Sequence, residues 1–247
     1  YRVMKVLGPD VVEFLTIKPV LYGGIVSRFL NIPKKVFYIT GLGYVFIARG
    51  LKGFIVKNIV KSMYKLAIAG KTNSIITENS FDKELINSLK AVDEKQINII
   101  RGAGVDLTQY NYIEENNENI KVSMACRLLK DKGVLEYIDA AKILKNRNID
   151  VYFELCGDID LHNPASLNNQ DLENIKKEGF INVTGFSSDI ASVFSSTNIV
   201  VLPSYREGLP KVLIEAAACG RAVVTTDVPG CKDAIEPNIT GLLCKVK

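Results

Sequence analysis

The chain has 247 residues, 47% hydrophobic and 23% charged, which is enough apolar material for one large or two modest globular domains. Its net charge of +4 is too small to indicate nucleic-acid binding, and no run of about 18 uncharged apolar residues predicts a membrane-spanning helix. The single histidine, His162, argues against a histidine-based triad or a multi-histidine metal site. Five cysteines form no Cys-x-x-Cys pair and indicate free thiols in a reducing compartment.

The first half of the chain alternates between strand-like and helix-like segments. Four apolar runs rich in β-branched residues predict strands: DVVEFLT (10–16), KKVFYIT (34–40), NSIIT (73–77) and QINIIR (96–101). Helical periodicity predicts one helix over residues 20–31 and another over residues 49–71. The polar stretch over residues 107–119 that follows is interpreted as a linker.

The second half alternates more regularly. Five strands are predicted, over residues 121–126, 151–157, 181–185, 198–203 and 222–226. Four helices are predicted between them, over residues 133–147, 171–179, 189–197 and 210–220. This alternation is typical of a doubly wound parallel sheet, which binds ligands beyond the carboxyl ends of its strands. The predicted fold class is therefore α/β, with Rossmann-like domains at 1–107 and 120–247 joined by a linker at 108–119.

The stretch SYREGLPKVLIEAAACG (204–220) places two carboxylates, Glu207 and Glu215, on either side of a turn. The turn consists of Gly208, Leu209 and Pro210. Its proline suits the first position of a helix, and the amides before it favour an anion. Eight helical residues span about 12 Å, further than the roughly 5–9.5 Å between paired glycosidase carboxylates. The spacing favours contacts with two ends of one extended ligand, with a capping Glu and a solvated Glu as the alternative.

A second motif, CRLLKDKG (126–133), follows the first strand of the second half. Arg127 stands at the carboxyl end of that strand, and Lys132 lies just before the next helix. Two cations beside a helix N-terminus can neutralise a diphosphate without a metal and stabilise it as a leaving group. A basic surface loop is the simpler alternative.

Taken in order and spacing, these motifs resemble the retaining glycosyltransferases of family 4, which have the two-domain GT-B fold. Further matching segments are GAGVD (102–106), VTGF (183–186) and GRAVVTTDVPGCKDAI (220–235). Three others resemble the bacterial subgroup that builds surface polysaccharides: TIKP (16–19), ITGLGYVF (39–46) and GDIDLHNPAS (157–166). The resemblance covers nearly the whole chain.

The resemblance implies a role for each matching residue. Arg127 and Lys132 would bind the donor diphosphate and, with Glu207 facing the donor sugar, form the catalytic set. Glu215 would bind the ribose hydroxyls. Further donor contacts would come from Gly208, Leu209, Pro210, Thr184, Gly185 and Phe186.

The implied reaction moves a hexose or N-acetylhexosamine from a UDP-sugar to a polyprenyl-diphosphate-linked saccharide with retention of configuration. By the same analogy, no protein nucleophile or cofactor is needed, because the leaving phosphate takes the acceptor proton. A GDP- or ADP-linked donor is an alternative. A non-catalytic remnant that binds a nucleotide or a partner is the alternative outside enzymes.

The Asp-x-Asp pattern of Asp158 and Asp160 is not expected to bind a metal. It follows a strand in the middle of its domain, and no further carboxylate or histidine cluster accompanies it. Arg127 and Lys132 already supply the positive charge that a diphosphate requires. No metal site is therefore predicted.

The predicted helix over residues 49–71 places Lys57, Lys61 and Lys65 on one helical face. A basic amphipathic helix can lie in an anionic membrane surface, which suits a lipid-linked acceptor. The expected location is thus cytoplasmic and peripheral, at the inner face of the plasma membrane. The alternative is an ordinary core-facing helix with a solvated lysine face.

The sequence departs from the family pattern in two places. Glu13 stands where members often carry histidine, and a carboxylate repels a diphosphate unless it is protonated or turned away. Glu13 therefore marks either a changed donor contact or a weakened site on the acceptor side. The chain also lacks the family's opening glycine-rich loop and the helices expected after GLLCKVK (241–247), so both ends are expected to be truncated.

Overall fold

A computed structural model describes residues 1–42, 46, 50–116 and 118–246. The chain forms two compact units. The first comprises Tyr1–Gly102 with the short segment Glu207–Leu209, and the second comprises Ala103–Arg206 with Pro210–Lys247. The first unit therefore ends at Gly102, before the sequence-based boundary at residue 107, and the linker belongs to the second unit.

A four-stranded parallel sheet forms the centre of the first unit, in the order β1-β2-β3-β4. Its strands are β1 (Val11–Leu15), β2 (Lys34–Ile39), β3 (Ser74–Thr77) and β4 (Ile97–Ile99). The four strands predicted from apolar runs are confirmed. Phe14 of β1 lies opposite Phe37 of β2, and their rings stack with centroids 5.3 Å apart.

The helices of the first unit are α1 (Arg2–Leu7), α2 (Gly24–Phe29), α3 (Gly50–Ile68) and α4 (Ser80–Ser88), with a π-helical turn at Pro19–Gly23 leading into α2. Two of these helices, α2 and α3, were predicted from the sequence, and two others, α1 and α4, were not. A Cβ added to Gly24 would lie 2.9 Å from the Cβ of Ala67, so α2 and α3 pack closely. Helix α4 is capped by Asn79, whose side chain accepts the Asp82 N–H at 2.7 Å.

The second unit has a six-stranded parallel sheet in the order β10-β9-β8-β5-β6-β7. Its strands are β5 (Lys121–Ala125), β6 (Tyr152–Cys156), β7 (Ile181–Gly185), β8 (Ile199–Leu202), β9 (Ala222–Thr226) and β10 (Gly241–Cys244). The chain adds β6 and β7 on one side of β5 and then returns to place β8 on the other side. The strand order therefore reverses between β5 and β8, the point at which such sheets bind ligands.

Four helices cover the second sheet: α5 (Val134–Asn146), α6 (Asn169–Glu178), α7 (Ile190–Ser195) and α8 (Lys211–Ala218). All four were predicted. The core between sheet and helices contains Met124, Leu155, Phe194 and Leu213, each almost fully buried. The hydroxyl of Tyr137 in α5 lies 2.9 Å from two strand carbonyl oxygens, those of Val122 and Glu154, and ties the helix to β5 and β6.

Candidate functional site

A pocket of about 580 Å³ lies at the carboxyl ends of β5, β6 and β7 in the second unit. Its lining mixes charged side chains with apolar ones. Its lining includes Arg127, Asp158, Asp160, Phe186 and Glu215. Of the sequence-predicted site residues, the pocket thus brings together Arg127, Phe186 and Glu215.

Arg127 forms an ion pair with Asp160, with 3.0 Å between Nη1 and Oδ2. The second carboxylate oxygen of Asp160 accepts the His162 N–H at 3.2 Å, and the Leu128 N–H donates to the carbonyl of Asp158 at 3.0 Å. The Arg127 and Leu128 bonds join the loop after β5 to the loop after β6. Because the Arg127 side chain is 63% exposed, solvent weakens the pair, and an anionic ligand can take the place of the carboxylate.

The turn that carries Lys132 packs against the end of β8. A 3₁₀ turn at Lys130–Lys132 ends at Gly133, whose φ of 78° lies in the left-handed region that favours glycine. The carbonyl of Pro203, just after β8, occupies the space where a side chain at Gly133 would stand. The sequence requires glycine here for both reasons.

Hydrogen bonds link the two sequence motifs directly. Ser204 Oγ and the Tyr205 N–H both donate to the carbonyl of Asp131, at 3.1 and 2.9 Å. The Tyr205 hydroxyl also donates to Glu136 Oε1 at 2.6 Å. The segment that begins at Ser204 therefore packs against the CRLLKDKG turn (126–133), as expected for segments at the same edge of one sheet.

Glu215 in α8 is buried, with only 6% of its surface exposed. Its Oε1 accepts a hydrogen bond from the Tyr110 hydroxyl at 2.7 Å and forms an ion pair with Lys211 Nζ at 3.0 Å. A buried carboxylate needs such partners, because desolvation of an unpaired charge is costly. The alternative of a solvated Glu at this position is wrong. The side chain also lines the pocket.

The segment Glu207–Leu209 belongs to the first unit, where it contacts the residues before α4. Asn79 Nδ2 donates to the carbonyl of Gly208 at 2.8 Å, and the Leu209 N–H donates to Glu78 Oε2 at 3.1 Å. Burial raises the pKa of Glu78 above its ordinary value in spite of this bond, and the charges of Asp82 and Glu207 act in the same direction. One amide of the expected anion site thus holds a carboxylate. Pro210 precedes α8 as its N-cap, one position before the place that the sequence predicted.

The three residues predicted to lie beside a nucleobase differ in their surroundings. Phe186 lines the pocket with a ring that is 77% exposed. Thr184 and Gly185 end β7 behind it: Thr184 Oγ1 donates to the Leu155 carbonyl at 3.5 Å, and the Gly185 carbonyl accepts the Gly157 N–H at 2.8 Å. Neither lines the pocket. Phe186 is therefore the residue of this group that is available to stack on a ligand.

Helix α3 carries the lysines predicted for a membrane or acceptor surface. Lys65 is exposed, but Lys57 and Lys61 are half-buried. The exposed surface of α3 is largely apolar and includes Leu51, Phe54, Ile55, Val56, Ile59 and Leu66. Helix α3 also buries Tyr64, Ala67 and Ile68 in the core of the first unit, so one side packs inward while the exposed side carries both apolar residues and lysine. Both interpretations of this helix therefore stay open. Glu13, on β1, is exposed.

Sequence patterns missed three polar residues of the second unit: Asp160, which lines the pocket and pairs with Arg127, and Tyr110 and Lys211, which contact Glu215. Lys211 lies one helical turn before Glu215, so its pairing at i, i+4 could have been predicted. The sequence pattern presents Asp160 only as part of a metal-like Asp-x-Asp and places Tyr110 in a linker. Within the described ranges, no group of three or more His, Cys, Asp or Glu side chains could hold a metal ion.

Comparison with known protein families finds a match for the linker and the second unit. The family model described as glycosyl transferases group 1 matches residues 108–247. These residues contain Arg127, Lys132, Glu207 and Glu215. The resemblance noted from the motifs is therefore confirmed at the level of the family.

Named relatives align with all or nearly all of this chain. An N,N'-diacetylbacillosaminyl-diphospho-undecaprenol alpha-1,3-N-acetylgalactosaminyltransferase of Campylobacter jejuni is 31% identical, over 100% of this chain and 66% of its own length. The capsular polysaccharide biosynthesis glycosyltransferase CapM of Staphylococcus aureus is 27% identical, over 95% and 63%. An Escherichia coli UDP-Gal:alpha-D-GlcNAc-diphosphoundecaprenol alpha-1,3-galactosyltransferase is 26% identical, over 100% and 65%. The chain spans 63–66% of the length of these relatives.

Solved structures share the fold at lower identity. HepE of Anabaena, crystallised with UDP, is 18% identical with a TM-score of 0.72, over 99% of this chain and 66% of its own. Sucrose-phosphate synthase of Thermosynechococcus elongatus is 20% identical with a TM-score of 0.80, over 98% and 62%. These likenesses confirm the predicted α/β fold with two Rossmann-like parallel sheets.

Proposed function

The chain belongs to the glycosyl transferases group 1 family, and we propose that it transfers a sugar from a UDP-linked donor to a lipid-linked acceptor. The sugar is a hexose or N-acetylhexosamine, and the acceptor is a polyprenyl-diphosphate-linked saccharide of a bacterial surface polysaccharide. The reaction retains the configuration at the anomeric carbon and requires no metal.

One observation carries the proposal: a cation and a carboxylate, Arg127 and Glu215, line a single pocket where the strand order of the second sheet reverses. A nucleoside diphosphate has a matching pair of features, an anionic diphosphate and a ribose diol that donates hydrogen bonds. An exposed aromatic ring, Phe186, is available in the same pocket to stack on a base. The family match covers all three residues.

The chemistry assigned to the site is the stabilisation of a leaving diphosphate. Negative charge grows on the diphosphate as its bond to the sugar breaks, and cations fixed before the reaction stabilise that charge. Arg127 and Lys132 take this role. Glu207 contacts the donor sugar, with the backbone amides of Gly208 and Leu209 beside it. The leaving phosphate accepts the proton of the attacking acceptor hydroxyl, so no protein nucleophile is needed.

The names of the relatives support the proposed acceptor. Two of them name an undecaprenol-diphosphate-linked sugar as the acceptor, and a third is named for capsular polysaccharide biosynthesis. The E. coli relative also names a UDP-sugar donor. These names favour a lipid-linked saccharide as the acceptor. They also favour a UDP-sugar as the donor over a GDP- or ADP-sugar.

A lipid-linked acceptor requires access to a membrane surface, and we assign that contact to α3. No helix in the described ranges is long and apolar enough to cross a membrane. Helix α3 has an exposed apolar surface, four lysines at positions 52, 57, 61 and 65, and no acidic residue. An anionic bilayer matches both the apolar surface and the positive charge. The expected location is peripheral, at the cytoplasmic face of the plasma membrane.

The test is calorimetric titration of the chain with UDP, GDP and ADP in the presence of a chelator. We expect saturable binding of UDP with the highest affinity, and a loss of at least about tenfold in Arg127→Ala, because charge-assisted hydrogen bonds to phosphate are lost. Arg147→Ala is the matched control, since Arg147 is an exposed residue at the end of α5. Sugar transfer from UDP-sugars to a polyprenyl-diphosphate saccharide is then measured by chromatography.

Each outcome has a definite meaning. If no nucleotide binds to the folded chain, the donor assignment is wrong. If UDP binds but no transfer follows with any donor, the non-catalytic alternative is favoured. Binding that appears only when a divalent metal is added contradicts the proposed metal independence.

A further inference from the structure

Tyr110 connects the polar stretch before the second sheet to the candidate site. Its side chain is 6% exposed, and its hydroxyl donates to Glu215 Oε1 at 2.7 Å. Burial, together with the Glu215 carboxylate, raises the pKa of Tyr110 well above its ordinary value. The phenol therefore stays protonated and acts as a donor throughout the pH range in which proteins work.

The backbone that carries Tyr110 is held in a defined turn by Asp106. Asp106 Oδ1 accepts hydrogen bonds from the Thr108 N–H at 2.8 Å and the Thr108 hydroxyl at 2.7 Å. The Asp106 carbonyl accepts the N–H groups of Gln109 and Tyr110, both at 3.0 Å. Asp106 is the last residue of GAGVD, a segment for which sequence patterns suggested no individual role. In the structure it fixes the turn that presents Tyr110.

The two oxygens of Glu215 differ in their partners. Oε1 accepts the Tyr110 hydroxyl at 2.7 Å and pairs with the Lys211 ammonium at 3.0 Å. Oε2 has no hydrogen-bond partner among the residues that the structure describes. A carboxylate has about four lone-pair sites, so two donors on one oxygen leave the other as an acceptor for a ligand. Glu215 lines the pocket, and Oε2 is the oxygen on which neither Tyr110 nor Lys211 is placed.

We propose that Tyr110 is a positioning residue for the recognition of ribose: its hydroxyl holds Glu215 so that Oε2 faces the hydroxyls of the nucleotide. The inference rests on the proposed function, because it assumes a nucleoside diphosphate in this pocket. Lys211 shares the same oxygen but is 62% exposed, so solvent screens its contribution. The buried phenol is therefore the donor that fixes the carboxylate.

The test compares UDP with its 2′-deoxy and 3′-deoxy analogues by calorimetric titration. Tyr110→Phe keeps the buried ring and removes the hydroxyl. We expect its affinity for UDP to fall about tenfold, since a hydrogen bond to a charged group is lost. Affinity for the deoxy analogue that lacks the contacted hydroxyl should change by less than about twofold, so discrimination between UDP and that analogue falls.

Matched variants separate positioning from a general loss of structure. Tyr112→Phe makes the same chemical change two residues further on, at a side chain that is 70% exposed, and should bind all three nucleotides as the unmodified chain does. Glu215→Gln tests the ribose contact itself and should lose discrimination at least as fully as Tyr110→Phe. The unmodified chain should prefer UDP to at least one deoxy analogue.

The outcomes distinguish this inference from the proposed function. If Glu215→Gln loses discrimination while Tyr110→Phe keeps it, the role of Tyr110 is wrong and the nucleotide site stands. If Tyr110→Phe weakens UDP and both analogues equally, its hydroxyl is merely structural and the inference is overturned. If the unmodified chain binds no UDP, or binds it without discrimination, both the ribose assignment and the role of Tyr110 are wrong.

Discussion

Gly133 packs against the carbonyl oxygen of Pro203 so closely that a Cβ built on the glycine would lie 2.2 Å from that oxygen. The contact joins the turn that carries Lys132 to the end of β8. Two of the sequence motifs therefore depend on one small residue for their spacing. A larger residue must move one of the two backbones.

Gly133→Ala should lower the free energy of unfolding by about 2–4 kcal/mol, because a backbone clash adds to the cost of a left-handed conformation. Urea denaturation followed by circular dichroism measures the change. Gly104→Ala is the matched control: its φ is 70°, and nothing lies within 4 Å of the added Cβ, so only the conformational cost of about 1–2 kcal/mol applies. Equal losses in the two variants would show that the contact with Pro203 does not constrain the fold.

Local patterns were sufficient for much of the fold and for part of the site. The strands of both sheets other than β10 follow from their apolar, β-branched runs, and β10 was not predicted. Arg127 and Glu215 follow from their positions after β5 and in α8. The rule that ligands bind at the carboxyl ends of parallel strands then brought these two residues to one pocket. Each of these inferences needed only neighbouring residues and the order of elements.

The contacts of Tyr110 could not be predicted in this way. Tyr110 and Glu215 are 105 positions apart, and the polar composition around Tyr110 is that of a linker. Helix α3 was ambiguous for a different reason. Its apolar residues occupy more than one face, so periodicity could not decide which of them pack on the sheet. The structure buries Tyr64, Ala67 and Ile68 and leaves Ile55 and Ile59 exposed.

Replacing the lysines of α3 tests its proposed contact with a membrane. The triple variant Lys57→Gln, Lys61→Gln and Lys65→Gln should bind vesicles of mixed phosphatidylcholine and phosphatidylglycerol about 100-fold less tightly, at about 1 kcal/mol for each lysine. Binding is measured by co-sedimentation. Pure phosphatidylcholine vesicles should bind the chain and the variant equally weakly.

A control triple variant makes the same change of charge on the second unit. Lys145→Gln, Lys177→Gln and Lys245→Gln replace exposed lysines outside α3 and should bind the mixed vesicles as the unmodified chain does. If both triple variants lose the same affinity, net charge rather than α3 determines binding. The assignment of the membrane contact to α3 is then wrong.

Asp160 should compete with the diphosphate for Arg127. In the structure the two side chains are paired at 3.0 Å, so the Asp160 carboxylate occupies a position on Arg127 Nη1 that a phosphate could otherwise take. Asp160→Asn should therefore bind UDP about two- to fivefold more tightly, the range that an exposed ion pair of 0.5–1 kcal/mol allows. The gain should shrink at high salt, because ions screen the competing pair.

Asp158→Asn is the control for Asp160→Asn, and titration calorimetry at low and high salt compares them. Asp158 also lines the pocket, but its Oδ1 accepts the Ile159 N–H, and Arg127 pairs with Asp160 instead. Both variants remove one negative charge, so the difference between them isolates the ion pair. If Asp160→Asn binds UDP more weakly, Asp160 orients Arg127 rather than competing for it.

Glu78 should make the stability of the first unit depend on pH. Burial raises the pKa of its carboxyl above the ordinary value of 4.5. An acid whose pKa is raised on folding holds its proton more tightly in the folded state, so the contribution of Glu78 to stability is greatest below pH 4.5 and falls as the pH rises through the folded-state value. Glu78→Gln cannot ionise, and its side-chain oxygen can still accept the Leu209 N–H. The variant should be more stable than the unmodified chain at neutral pH, with the difference disappearing below pH 4.5.

Urea midpoints measured across this pH range test the role of Glu78, with Glu84→Gln as the matched control. Glu84 lies exposed on α4, so its replacement should change stability by a small amount. A Glu78→Gln variant that is less stable at neutral pH would mean that the ionised carboxylate is favoured by its bond to the Leu209 amide. In that case the helix-end amide, rather than burial, determines the charge state of Glu78, and the segment Glu207–Leu209 holds an anion even without a ligand.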